Sequence, residues 1–136
     1  MKIKLKEYGL KPIRAHETDA GMDLRSPVRT VVPPRGYVSI CTGVCVELPG
    51  GCCGLLVSKS GLNTKHGLTT TGLIDEGYSG EIVVTIHNES NDAYTIDIGD
   101  KISQLVVFPV RYEPIELVDE ISAGERGKRG FGSTGK

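Results

Sequence analysis

No stretch of this sequence sustains a long 3.6-residue apolar period; its apolar residues come in short runs, each closed by glycine, proline or polar residues. That punctuation restricts the fold more than any other feature, because short strands and frequent turns build neither a helical bundle nor a βαβ unit. Ile3 and Leu5 alternate with Lys2, Lys4 and Lys6, the period-2 pattern of a half-buried strand. Pro33-Pro34-Arg35-Gly36 is a turn signal, Tyr37 to Leu48 reads as β structure broken at Gly43, and Pro49-Gly50-Gly51 turns the chain into an apolar strand from Cys52 to Val57. Gly67 to Ile74 and Tyr78 to His87 read as the arms of a hairpin with Asp75-Glu76-Gly77 at its tip, the second arm rich in β-branched residues. Asn88 to Ala93 is a polar turn, and Ile102 to Val110 is the last strong strand. Between Ser60 and His66 the pattern allows one short helix, with Ser60 as its N-cap. The fold class is all-β, a sandwich or jelly roll.

A chain of 136 residues points to one domain. With Tyr 5, Phe 2 and Trp 0, its core must be aliphatic. A net charge of −1 argues against general affinity for a nucleic-acid backbone, which needs a basic face. The N-terminus carries no apolar signal core, and no run approaches the roughly 18 apolar residues of a membrane span, so a soluble, cytoplasmic protein is expected. The four cysteines, Cys41, Cys45, Cys52 and Cys53, read as buried, inert strand residues. Neighbours Cys52 and Cys53 face opposite ways in a strand and lack a nearby histidine to complete a zinc set. From Ser122 to Lys136 the chain has five glycines, five charges and one large apolar residue, Phe131. This divides it into a domain over 1–121 and a glycine-rich arm over 122–136 that is mobile when nothing is bound. An idle terminus and a functional arm both fit that composition.

Four other segments combine glycine with hydroxyl, carboxylate or polar residues beside apolar runs. In Ala20-Gly21-Met22-Asp23-Leu24, Asp23 is either a turn residue or a functional acid. Ser58-Lys59-Ser60-Gly61-Leu62 enters the short helix, where backbone N–H groups and Lys59 can meet an anion, or where Ser60 simply caps. In Gly72 to Gly80, Asp75 and Glu76 are each either a base or a solvated turn residue, and Tyr78 either packs on a sugar or covers the sheet. Gln104, in Gly99 to Leu105, is a polar residue inside an apolar strand whose amide needs a backbone or ligand partner.

In order along nearly the whole chain, AGMDL (20–24), KSGL (59–62), GLIDEGYSGEI (72–82), GDKISQLVV (99–107) and RGFGSTG (129–135) resemble the five motifs of the homotrimeric dUTPase family. The resemblance implies a single-domain jelly-roll-type β-barrel of the dUTPase-like, or β-clip, kind, with one short helix and a flexible C-terminal arm. It implies a homotrimer with three active sites, each assembled from more than one chain. The implied activity is hydrolysis of dUTP to dUMP and pyrophosphate by in-line attack of water at the α-phosphate, which limits uracil incorporation into DNA and supplies dUMP for dTMP synthesis. Asp75 is then the base that orients the water, and Tyr78 lies under the deoxyribose and excludes a 2′-hydroxyl. Backbone groups around Thr69, Gly72 and Ile74 read uracil. Lys59, Ser60, Gly61 and Gln104 bind phosphates. Phe131 stacks over uracil, Gly132 beside it belongs to the substrate-binding set, and Arg126, Ser133 and Thr134 contact the terminal phosphates as the arm closes. The implied cofactor is Mg²⁺ held mainly by the triphosphate, with Asp23 reaching it through water. No nucleic-acid or membrane partner is implied.

The chain departs from the family pattern at Lys59, where arginine is usual, at Arg129, where glycine is commoner, and at Met22, where an aromatic is frequent. Lys59 replaces a forked donor by a point charge. Two rivals share the fold: a dCTP deaminase or bifunctional deaminase–dUTPase, and a non-catalytic interaction module. The deaminases resemble this chain in the third motif but carry a catalytic glutamate where Thr85 stands.

Overall fold

The computed structural model describes residues 1–122, 124 and 127. Among these residues ten strands and one helix follow in the order β1 Lys2–Leu5, β2 Gly21–Arg25, β3 Thr30–Val32, β4 Tyr37–Glu47, β5 Cys52–Val57, α1 Ser60–His66, β6 Leu68–Thr69, β7 Thr71–Ile74, β8 Glu81–Asn88, β9 Tyr94–Ile96 and β10 Lys101–Pro109. One sheet has the order β1-β4-β8-β6, a second β2-β10-β5-β7, and β3 pairs with β9 as a ribbon. Every strand pairing is antiparallel. The architecture is that of a jelly roll, as expected.

Strand β8 shows why the sheets enclose a core. Ile82, Val84, Ile86 and Asn88 are buried on one face while Val83 and His87 are exposed on the other, the alternation a pleated strand imposes. Ile40, Val44 and Val46 of β4 join them from the same sheet, and Leu24, Leu56 and Leu105 come from the other. The core is aliphatic; half-buried Tyr94 packs at its edge. Two polar residues enter it with partners: Thr42 donates to the Ile82 carbonyl, and Asn88 donates to the Val32 and Asp92 carbonyls.

Two irregularities shape the site. At Gly43 (φ +70°) strand β4 shifts register against β8, and Gly9 approaches so closely that neither glycine has room for a Cβ. In β10 the register against β2 slips between Lys101 and Ser103, leaving both Ile102 and Ser103 buried. Lys101 and Gln104, three residues apart, therefore share the opposite face.

Four expectations need correcting. The arm Gly67 to Ile74 is not one side of a hairpin: β6 pairs with β8, whereas β7 leaves to pair with β5 in the other sheet. Ser58 permits the crossing, because its hydroxyl donates to the Thr70 carbonyl and accepts from the Thr70 N–H where ladder bonds are interrupted. Ser60 is the first residue of α1 rather than its cap; Lys59 holds the cap position without a side-chain bond, and Gly67 (φ 65°) ends the helix. Strand β1 forms, but Ile3 and Leu5 stay exposed because β1 lies at a sheet edge. Of the cysteines, all free thiols, only Cys53 is buried; Cys41 lies on the exposed face of β4.

Candidate active site

Strand register divides the singled-out residues into two groups. Val57 stands opposite both Gln104 and Thr71, and Gly54 stands opposite Ile74. Lys59, Ser60 and Gly61 follow Val57 at one end of this strand pair, and Asp75 follows Ile74 at the other. Four paired residues of strand at about 3.3 Å each, roughly 13 Å, and then Ser58 separate Asp75 from Lys59. A single chain gathers Asp23, Lys59 and Gln104 together, with Ser60 and Gly61 adjoining, but keeps Asp75 and Tyr78 apart from them.

At the Lys59 end, Asp23 is 2% exposed, and its two oxygens receive Lys59 Nζ at 2.6 Å and Lys101 Nζ at 2.8 Å. Burial works to raise its pKa, but the bonds from Lys101 and Lys59 outweigh that and hold the carboxyl below its ordinary value. Gln104 is opposite Asp23 in the β2–β10 register, and its half-buried amide has no protein partner among the described residues. Gly21 makes room for it, since a Cβ there would meet Gln104 Nε2 at 3.3 Å. The Ser60 hydroxyl is exposed and likewise unpartnered among the described residues, and nothing crowds Gly61.

At the other end, Asp75 and Glu76 separate into different roles. Glu76 Oε2 accepts from Tyr112 Oη at 2.6 Å and from the Gly51 N–H at 3.0 Å. The Tyr112 bond, with Gly51 adding, holds Glu76 below the usual carboxylate value, and Tyr112 is pushed up to about 12. Asp75 is exposed, has no side-chain partner among the described residues, and lines a cavity of about 530 Å³ with Cys53, Leu73, Glu76, Val110 and Tyr112. Of the two adjacent acids, Asp75 is the one left available.

Tyr78 is held by its neighbours: its hydroxyl donates to the Glu81 carbonyl at 2.9 Å, and the ring fills the space where Gly80 lacks a Cβ. The Glu81 side chain in turn accepts from Lys6 Nζ (2.5 Å), Tyr8 Oη (2.8 Å) and the Gly43 N–H (2.6 Å). The Lys6 bond first of all, then those from Tyr8 and Gly43, keep Glu81 ionised below its ordinary pKa against the effect of burial. Sequence reading missed this anchor because its partners lie 73 and 75 residues away. Thr69, Gly72 and Ile74 lie on β6 and β7, which are edge strands of their two sheets, so one side of the backbone is open to a ligand. Arg126, Phe131, Gly132, Ser133 and Thr134 lie outside the described residues, as does Arg129. Thr85 shares a 2.8 Å hydrogen bond with Ser39, hydroxyl to hydroxyl.

Asp23 fits the expected metal role poorly: each of its oxygens already accepts an ammonium group, the carboxylate is 3% exposed, and a hydrated dication would have to approach it beside two cations. Among the described residues no group of three or more His, Cys, Asp or Glu side chains gathers that could hold a metal ion. No described helix is long and apolar enough to cross a membrane.

A jelly roll bearing a free carboxylate at a cavity, an aromatic locked beside it, and a separate cluster of lysines with an unpartnered amide has the parts of a phosphoanhydride hydrolase. The model of the dUTPase family matches residues 8–135, and the chain belongs to that family. It is 43% identical over 135 residues to the deoxyuridine 5'-triphosphate nucleotidohydrolase of Clostridioides difficile, covering 97% of this chain and 94% of that one. The enzyme of the same name from Clostridium tetani is 42% identical over 140 residues, covering 100% and 97%. Among solved structures, the dUTPase of Staphylococcus bacteriophage 80alpha with dUPNHPP superposes with a TM-score of 0.92 at 34% identity, covering 99% of this chain and 98% of that one. A mutant dUTPase of the S. aureus phage phi11, described as coordinating a structural Mg(II) ion, superposes with a TM-score of 0.80 at 32% identity, covering 88% and 96%.

Proposed function

We propose that this protein hydrolyses dUTP to dUMP and pyrophosphate, with water attacking the α-phosphorus in line. The observation that carries the reading is the division of labour between two adjacent acids: Glu76 is tied to Tyr112 and Gly51, while Asp75 is exposed at the cavity with no side-chain partner among the described residues. Asp75 contributes chiefly by orienting the water and taking its proton as the bond to phosphorus forms. Tyr78, fixed by Glu81 and Gly80, lies under the deoxyribose and leaves no space for a 2′-hydroxyl. The open backbone edge of β6 and β7 around Thr69, Gly72 and Ile74 reads the uracil edge; cytosine would leave buried polar groups unpaired there.

Lys59, Ser60, Gly61 and Gln104 receive the phosphates, and residues 122–136, with Arg126, Phe131, Gly132, Ser133 and Thr134, close over the nucleotide. Mg²⁺ enters as part of the substrate, bound to the triphosphate, and lowers the charge the protein must meet. Because roughly 13 Å of paired strand keeps the two groups of residues apart in one chain, a site completed by a second chain fits them best, which supports the homotrimer. Four free thiols suit a reducing compartment, in keeping with the cytoplasm.

The test is pyrophosphate release from dUTP by the native protein and by Asp75→Asn. The exposed, unpartnered position predicts an unchanged fold and turnover lower by about 10²- to 10⁴-fold. Equal rates in the two proteins would remove Asp75 from the mechanism.

A further inference from the structure

Lys101 stands inside the GDKISQLVV segment, three residues before Gln104. Its ammonium reaches Asp23 from one side at 2.8 Å as Lys59 reaches it from the other at 2.6 Å. The carboxylate is 3% exposed, whereas the Lys59 and Lys101 side chains are 23% and 42% exposed. Solvent therefore meets two cations and almost none of the acid, and the cluster carries a net positive charge. The amide of Gln104, unpartnered among the described residues, lies on the same face. The β10 register shift creates this grouping: with Ile102 and Ser103 both turned inward, Lys101 stays on the side of Gln104. In an unbroken strand, residues three apart face opposite ways.

We propose that Lys101 is a second phosphate-binding cation of the nucleotide site, and that Asp23 is a positioning residue that holds Lys101 and Lys59 rather than an acid for metal-bound water. The proposal rests on the dUTP reading for its substrate, but its anion chemistry stands apart from the hydrolytic step. Two ammonium groups anchored on one buried carboxylate lose little side-chain freedom when a polyphosphate arrives, since that freedom is already spent. The pair also compensates for the loss of a forked guanidinium at position 59, by meeting the phosphates with two point charges.

The experiment uses the full chain and three variants, Lys101→Met, Lys101→Arg and Asp23→Asn. Inorganic tripolyphosphate binding is measured by calorimetry without Mg²⁺, alongside KM, kcat and the Mg²⁺ concentration for half-maximal dUTP hydrolysis. Lys101→Met is expected to weaken tripolyphosphate binding and raise KM for dUTP by about five- to tenfold each, with kcat within about twofold, and Lys101→Arg to recover most of both. Asp23→Asn is expected to raise KM similarly and leave the Mg²⁺ requirement unmoved. Unchanged tripolyphosphate affinity in Lys101→Met would reduce Lys101 to a counter-ion of Asp23 and overturn the assignment. A Mg²⁺ requirement raised about tenfold in Asp23→Asn alone would restore the metal role. Should Asp23→Asn fail to fold, the Lys101 pair still decides the cation assignment, because Lys59 continues to neutralise Asp23 in both. Tripolyphosphate binding that depends on Lys101 in a protein that leaves dUTP intact would sink the substrate reading and uphold the anion site.

Discussion

An alanine at position 80 would place its Cβ 2.6 Å from Tyr78 Cζ and 3.0 Å from Cε2, where ordinary contact begins at 3.4 Å. The Tyr78 hydroxyl would lie nearer still, so the ring must retreat by about 1 Å to reach that contact, and in doing so it gives up the 2.9 Å bond from its hydroxyl to the Glu81 carbonyl. That bond is exposed, so its loss costs about 0.5–1.5 kcal/mol, toward the lower end. The melting temperature should fall by only about 2–6 °C. The functional effect is larger, because a filter that acts by contact with C2′ fails once its surface moves by a fraction of an atomic diameter; misplacement by about 1 Å elsewhere in catalysis costs up to ~10²-fold. Gly80→Ala should therefore lower the ratio of kcat/KM for dUTP to that for UTP by about tenfold or more. Tyr78→Phe, which loses the hydroxyl but keeps the ring in place, should retain most of the ratio. Pyrophosphate release from each nucleotide, with thermal unfolding in parallel, measures both quantities. A lowered melting temperature with undiminished discrimination would show that the ring moved and the sugar test lies elsewhere; no change in either would show that the loop absorbs the Cβ.

Ile82, 0% exposed at the centre of β8, tests the core: Ile82→Ala should cost about 2–5 kcal/mol and lower the melting temperature by about 8 °C or more, read by calorimetry. Asp23 governs part of the acid limb of stability. Its folded pKa lies below the unfolded value, so its stabilisation is present above about pH 4 and is lost as pH falls through the native-state value. Urea unfolding between neutral pH and pH 3 should show a steeper loss in the native protein than in Asp23→Asn, and equal slopes would mean the lysine bonds do not form in solution.

Much of the fold was legible because burial writes a period into a strand. β8 and β4 each bury alternate apolar residues, and the turns at Pro33–Gly36 and Pro49–Gly51 were marked by residues that tolerate little else. Strands β3 and β9 were not anticipated: three residues each are too few to show a period, and they are strands only because they pair with each other. The departure of β7 from β6 was hidden for a related reason, since Ser58 directs it from twelve residues away. Of the site, Asp75, Tyr78, Ser60 and Gln104 were singled out by residue type and setting. Lys101 and Glu81 were not, because a register shift and an ion pair across the fold are properties of three-dimensional neighbours.

The separation of Asp75 from Lys59 and Gln104 bears on assembly in a way that mixed chains can measure. Consider Asp75→Asn and Gln104→Leu, each impaired in a different half of the site. If one chain supplied both halves, every site in a mixture would contain one lesion and activity would stay at the level of the singles. If each site joins the Asp75 end of one chain to the Gln104 end of another, a site is intact when its first half comes from a Gln104→Leu chain and its second from an Asp75→Asn chain. In a ring of like subunits drawn at random from equal amounts, that happens at about one site in four, so refolding the two variants together should recover about a quarter of native activity. Refolding them separately and mixing afterwards should recover none unless subunits exchange. The strand register makes the sharing hard to avoid: four paired residues of β5 and β7, roughly 13 Å of strand, lie between the two halves, and no side chain spans that distance.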